Sequence, residues 1–280
     1  MEEDKIVFAK TEWIPQLKEI WRECFHDEES YINFFFTNRF RNENMLVWIE
    51  EGVPVAMASL LPCMCWKKDG NTMRLIPTRY IYAVGTKPLY EGRGISTSLM
   101  SYINNQLKKN QEIGILVPAS ESLVSFYQKR NFHVAISKKE RMEQEGNESD
   151  LIASSISNLR ILEGKVSKRR YKELRDYWLG VDGYIEWDED AISYAIQENT
   201  FNGGVCFELL CDGESHILLG YKNNEEFIVR ETTLSDDNWI KVAMRIAAHF
   251  RCHTIIRKEQ FFMSTQKKWS QTGYFNLALD

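Results

Sequence analysis

Two long runs rich in β-branched, aromatic and other apolar residues, Val53 to Trp66 and Thr72 to Val84, are joined across Asp69-Gly70-Asn71, and a third, Met45 to Glu50, precedes them across Glu51-Gly52. Turns this short fold each run back on the one before, so the three predict an antiparallel meander. The pattern then changes. Ile95, Leu99, Tyr102, Ile103 and Leu107 recur at helical spacing, and Ile113 to Val117 reads as a buried strand. Strand, helix and strand in that order close as a right-handed crossover with the two strands parallel. A hairpin meander and a parallel crossover in one sheet make a mixed α/β layer structure and exclude helical bundles and sandwiches.

Ahead of the meander, Lys5 to Ala9 reads as a short strand, Trp13, Leu17, Ile20, Trp21 and Cys24 lie at helical spacing, and Tyr31 to Phe40 forms an aromatic-rich helix after the acidic loop Asp27-Glu28-Glu29. Past the crossover, Ser120 caps a helix that runs to Arg130, and Phe132 to Ile136 returns as a strand. The polar stretch from Lys138 to Gly164 reads as a junction that also holds the last strand of the first half, dividing the chain into 1–145 and 146–280. Beyond it come a basic helix (Ser167 to Leu179), a helix opened by Asp188, strands at Gly204 to Cys211, His216 to Lys222 and Glu226 to Thr233, a helix from Asp236 to Arg251, and a strand at His253 to Lys258. Three strands, a crossover helix and a strand thus recur with little residue identity, the pattern of a degenerate internal duplication.

Charge and cysteine usage narrow the function classes. With 35 Lys plus Arg against 40 Asp plus Glu, the net charge is -5, which disfavours nucleic acid as the main partner. The basic run Lys165 to Lys172 reads as a solvated helix face. Val53 to Trp66 is uncharged but carries Pro54 and Pro62 and falls short of the roughly 20 apolar residues a membrane span needs, so no membrane segment is expected. Six cysteines without a C-x-x-C pair, and an acidic start Met1-Glu2-Glu3-Asp4 unlike a secretory leader, predict a cytoplasmic protein. His249 and His253 have one-turn spacing, but Phe250 stands where a metalloprotease helix has glutamate, and no metal site is expected. Oligomeric state leaves no signature.

The segment with chemical content is Tyr82-Ala83-Val84-Gly85-Thr86-Lys87-Pro88-Leu89-Tyr90-Glu91-Gly92-Arg93-Gly94-Ile95-Ser96, a strand end running through small residues into a helix start. Gly92 and Gly94 let a ligand approach the main chain with no Cβ in the way. The helix N-terminus adds partial positive charge, and Arg93 or Lys87 can add full charges, so a pyrophosphate suits the loop. Neither a Walker loop nor a dinucleotide fingerprint fits, since G-K-S/T is absent and antiparallel hairpins precede the loop.

At this point the chain resembles the GCN5-related N-acetyltransferase superfamily, whose acetyl-CoA motif Q/R-x-x-G-x-G/A aligns with Glu91-x-x-Gly94-x-Ser96. The resemblance continues through Ser120 to Phe126-Tyr127-Gln128-Lys129-Arg130-Asn131-Phe132, which is similar to the family's segment ending FY-x-K-x-GF, with Asn131 in place of glycine. It covers about residues 5 to 140. Glu91 and Ser96 depart from the motif, which leaves phosphate affinity to the main chain and Arg93.

The resemblance implies a mixed, mostly antiparallel sheet with flanking helices, in two tandem copies of which the second is degenerate. The layout is similar to that of the Eis-like acetyltransferases, without a counterpart of their sterol-carrier-like domain. It further implies acetyl-CoA as co-substrate, bound by Tyr82, Ala83, Val84, Glu91, Gly92, Arg93, Gly94, Ile95, Ser96 and Ser120. A primary amine of a small molecule or peptide would attack the thioester directly, with Tyr127 protonating the departing thiolate. A non-catalytic acyl-CoA-binding or scaffold protein is the alternative. Thr72 to Val84 holds no Asp, Glu or His, so the base is sought in the loop His26-Asp27-Glu28-Glu29, in ordered water or in the carboxylate of Asp280. The second half is expected to bind no CoA, because Asp236 and Asp237 open its crossover helix where a diphosphate would lie.

Overall fold

The structure, a computed structural model, describes residues 5–138, 140–144, 158–162, 164–258, 260–270 and 273–275. They form two compact units: Met1–Ile136 with Phe261–Gln271, and Ser137–Gln260 with Thr272–Asp280.

In the first unit β1 (Ile6–Phe8), α1 (Ile14–Phe25) and α2 (Glu29–Asn38) lead into the meander β2 (Met45–Glu50), β3 (Val53–Asp69) and β4 (Thr72–Thr86). The crossover helix α3 (Ile95–Asn110), β5 (Ile113–Leu116), α4 (Glu121–Gln128) and β6 (His133–Lys138) follow. β3 and β4 pair antiparallel from Asp69↔Thr72 to Ala56↔Thr86, whereas β4 and β5 pair parallel only over Thr78↔Ile113 to Tyr80↔Ile115. Beyond Tyr80 the two strands splay. The apolar stripe expected of α3 is buried: Ile95, Leu99, Ile103 and Leu107 pack on Ala56, Ala58, Leu60 and Ile81 of the sheet.

The second unit holds β7 (Arg141–Gln144), β8 (Leu159–Leu162), α5 (Lys168–Leu179), β9 (Ile185–Glu186), α6 (Glu189–Phe201), β10 (Val205–Cys211), β11 (Glu214–Asn223), β12 (Glu226–Thr232), α7 (Asp236–His249) and β13 (Thr254–Arg257). Its sheet runs β7-β13-β12-β11-β10-β8. β10, β11 and β12 pair antiparallel and β12 with β13 parallel, so the strand and crossover order of the first unit is repeated. Asp188 and Ser235 cap α6 and α7 by accepting from Ala191 N and Asn238 N. A fully buried ion pair pins this unit: Arg175 Nε lies 2.8 Å from Glu231, whose other oxygen accepts from Tyr171. The remaining Arg175 donors reach Tyr184 Oη and the carbonyls of Ile185 and Phe275, so the buried charge is hydrogen-bonded on every side.

The expected boundary at 145 moves. β7 pairs with β13 of the second sheet, not with the first, so the first unit's N-terminal segment ends at Ile136. A strand that sequence reading did not anticipate, β14 (Gln260–Ser264), returns to the first sheet, whose order is β1-β2-β3-β4-β5-β14-β6. It pairs antiparallel with β5 at Met263↔Leu116 and Ser264↔Ile115 and covers what would be an open edge. Phe262 and Met263 are fully buried there. Gly114 admits this approach, since a Cβ would lie 2.6 Å from Leu107 Cδ1 and 3.1 Å from Thr265 Cγ2.

Candidate functional site

The site begins with a bulge. Ser59 pairs with Tyr82 and Met57 with Gly85, so Ala58 alone opposes both Ala83 and Val84. Ala83 takes φ 51°, a left-handed conformation that a non-glycine residue holds only under constraint. The extra residue breaks the ladder where β4 has already parted from β5, leaving main-chain groups near Val84 for another partner. Gly85 brings the end of α1 over this bulge, because a Cβ there would meet Cys24 Sγ at 3.0 Å and Phe25 Cζ at 3.2 Å.

The glycine turn comes next. Gly92 and Gly94 have φ of 74° and 79°, with nothing within 4 Å of where a Cβ would be. Gly94 is the N-cap of α3, and no side chain caps the helix. Its first amides therefore face open space with the positive end of the helix behind them. Ser96, where the resemblance called for Gly or Ala, hydrogen-bonds Thr86 across 2.9 Å and ties α3 to the end of β4. Bulge, turn and helix start bound a cleft of about 900 Å³, closed on one side by Glu23, Cys24 and His26 at the end of α1 and on another by Leu123 and Phe126 of α4.

The charges differ from expectation. Arg93 does not line the cleft; its guanidinium donates to Leu89 O at 3.1 Å and lies 4.9 Å from the ring centre of Tyr90. Lys87 is held by Glu19 at 2.5 Å and Glu23 at 3.7 Å. Among the described residues no lysine or arginine lines the cleft, while Glu23 and Glu91 do. The nearby cation is Arg130, which sequence reading passed over as a helix-end residue. It lies 3.5 Å from the ring centre of Phe126, donates to Phe126 O at 2.7 Å, and reaches Thr97 Oγ1 in the first turn of α3. Its Nε is buried without a partner.

Burial raises the pKa of two neutral groups, a phenol and a thiol, and lowers that of the Arg130 guanidinium. Tyr127 is 7% exposed and packs edge-on against Phe126 and Phe132, and burial pushes its phenol up to about 12. Leu123 and Phe126 line the cleft; Tyr127 sits behind them in the core. Burial, with Glu23 and Glu91 adding to it, pushes the Cys24 thiol up to about 11, so it is a neutral wall of the cleft.

Ser120 is the N-cap of α4 by backbone, yet its hydroxyl bonds Ser122 at 2.8 Å instead of capping the helix, a departure from the expected cap. Of the acidic loop, His26 reaches the cleft from a left-handed C-cap position with φ 58°. Asp27 accepts from Trp21 Nε1 at 2.7 Å, and Glu29 pairs with Arg22 at 2.5 Å. Asp280 lies outside the described residues.

A splayed mixed sheet with a β4 bulge and a glycine-led helix start defines an acyltransferase. Residues 5–135 match the family model "Acetyltransferase (GNAT) domain", and no curated protein matches the chain. The match falls on the first unit, which therefore carries a GNAT acetyltransferase domain. Solved structures agree in fold over both units. A GCN5-related N-acetyltransferase from Anabaena variabilis is 20% identical with a TM-score of 0.72, over 93% of this chain and 72% of that one. Another from Kribbella flavida is 15% identical with a TM-score of 0.67, over 92% and 70%. Eis1 from Mycobacterium abscessus is 10% identical with a TM-score of 0.67, over 90% and 65%. At these identities the likeness establishes the tandem fold. Among the described residues no helix is long and apolar enough to cross a membrane.

Proposed function

We propose that the first unit transfers an acetyl group from acetyl-CoA directly to a primary amine of a small molecule or peptide, in the cytoplasm. The observation that carries this is the uncapped start of α3 behind two left-handed glycines whose Cβ positions face empty space, beside a bulge that frees main-chain groups of β4. The chain's own residues fit the donor on those terms. The amides after Gly94 would take the diphosphate, with Arg130 supplying the full positive charge that Glu91 does not. Tyr82, Ala83 and Val84 would pair with the pantetheine amides as an added strand, holding the thioester at a fixed distance from the cleft wall.

An amine entering past His26 attacks the thioester carbonyl, and the oxyanion that develops there is stabilised by a main-chain N-H near Val84. Tyr127, kept protonated by burial, would be the acid for the departing thiolate once its hydroxyl opens past Leu123 and Phe126, which separate it from the cleft, and His26, which lines the cleft, would take the amine proton. The six cysteines are free, which suits a reducing compartment.

Glu23 and Glu91 on the cleft wall favour a second reading, a protein that holds acyl-CoA weakly and does not turn it over. Incubation with acetyl-CoA and a panel of primary amines, following free thiol and acetylated product by mass, separates the two. Thiol release coupled one-to-one to amine acetylation supports transfer; stoichiometric binding with no release on any amine supports the second reading.

A further inference from the structure

The second unit retains the splay of the first. β12 and β13 pair parallel only as far as Val229↔Arg257, and past that point a cavity of about 520 Å³ opens between their ends. This is the counterpart, by topology, of the cleft beside α3. Its walls differ in charge: Arg141, Arg230, Arg257 and Lys258 line it, where the first cleft has carboxylates. The volume falls within the range of small-ligand pockets and is too small for a molecule with both a nucleotide and a pantetheine arm.

The lining carboxylates do not cancel these cations. Glu231 is already matched by Arg175 and Tyr171 from behind the wall. Asp236 is shared by two guanidiniums, Arg141 Nη2 at 2.6 Å and Arg257 Nη2 at 2.5 Å. The repulsion expected from Asp236 is therefore neutralised with a positive charge to spare, and each guanidinium keeps further N-H donors. Glu140 faces Lys258 at 3.5 Å, a pair loose enough for Lys258 to share an incoming anion, and Arg230 adds a further guanidinium to the wall, 3.7 Å from Glu198. Gln260 Oε1, also on the wall, is buried with no hydrogen-bond partner and calls for a donor.

We propose that this cavity binds a small metabolite bearing an oxyanion, a carboxylate or a phosphate, together with a hydroxyl or amine donor, at a site separate from the acyl-CoA cleft. The oxyanion sits against Arg141, Arg257 and Arg230, and the donor meets Gln260 Oε1. Coenzyme A is not the occupant, because no glycine turn precedes α7 and Ser235 fills its N-cap.

The test titrates the full-length chain by calorimetry with inorganic phosphate and, separately, with L-malate, at constant ionic strength in chloride and in the presence of saturating acetyl-CoA. Saturable binding of at least one probe, at one site per chain, is expected; which one binds identifies the oxyanion. Arg257→Gln should weaken it tenfold or more, and Arg230→Gln, which leaves the Asp236 bridges intact, should weaken it several-fold. If Arg257→Gln fails to fold, Arg230→Gln decides. The proposal is overturned if neither probe saturates, if binding survives Arg230→Gln unchanged, or if acetyl-CoA displaces the probe.

Discussion

Replacing Gly94 separates the strain of the turn from its role in holding phosphate. With φ at 79° and no atom within 4 Å of the Cβ position, any L-residue there meets backbone strain and no steric clash. The strain is about 1–2 kcal/mol, which lowers the melting temperature of a unit of this size by about 2–8 °C. Gly94→Gln and Gly94→Glu share that cost and differ in charge alone. A carboxylate about 5 Å from one phosphate charge costs on the order of 3 kcal/mol at an effective dielectric of about 20 and about 0.8 kcal/mol in bulk water. The glutamate variant should thus bind acetyl-CoA between about fourfold and about 150-fold more weakly than the glutamine variant, with a ratio that shrinks as salt rises. Calorimetric titration at two salt concentrations, with scanning calorimetry on both variants, measures both quantities. Equal affinities for the two variants, or affinities matching the parent while the melting temperature falls as expected, would refute a diphosphate at this turn.

Tyr127→Phe should leave acetyl-CoA affinity within a few-fold and lower kcat by about 10²–10⁴, a positioned acid acting only in the transition state; a parent-like kcat would reassign the ring to packing. Because the folded phenol titrates near 12, above its ordinary value, its contribution to stability is intact below about pH 10 and is lost as pH rises toward 12, a loss that denaturation of Tyr127→Phe should lack. Arg130→Gln should weaken acetyl-CoA binding by about tenfold while Glu91→Gln strengthens it several-fold, both less so at high salt; an unchanged Kd for Arg130→Gln would remove it from the donor site. Cys24, titrating near 11, should react with iodoacetamide at pH 8 about tenfold or more slowly than a free thiol, and bound acetyl-CoA should protect it further, as peptide mapping after timed quenching would read.

The sequence by itself determined the element order, the crossover and the glycine turn, since hydrophobic period, turn residues and left-handed backbone preference act over a few neighbouring residues. Gly92 and Gly94 stand at positive φ, α3 buries the stripe from Ile95 to Leu107, and the second crossover spans the expected residues around Asp236. Tertiary structure alone decided which sheet a short strand joins. β7 and β14 are four and five residues long, too short for local pattern to name a partner: β14 is held in the first sheet by the burial of Phe262 and Met263, whereas β7, with no buried residue, joins the second by its pairing with β13. The site's charges were likewise decided by partners distant in the chain. Arg93 was the cation legible beside the turn, yet it folds back on Tyr90, and Arg130 reaches the start of α3 from the turn after α4, 33 residues on from Thr97. Asp236 read as a repulsive carboxylate until Arg141 and Arg257, from opposite ends of the second unit's sequence, met on its two oxygens. Local pattern specifies conformation because its energies are local, whereas the sign of a pocket's potential is a sum over side chains that only the fold brings within a few ångströms of one another.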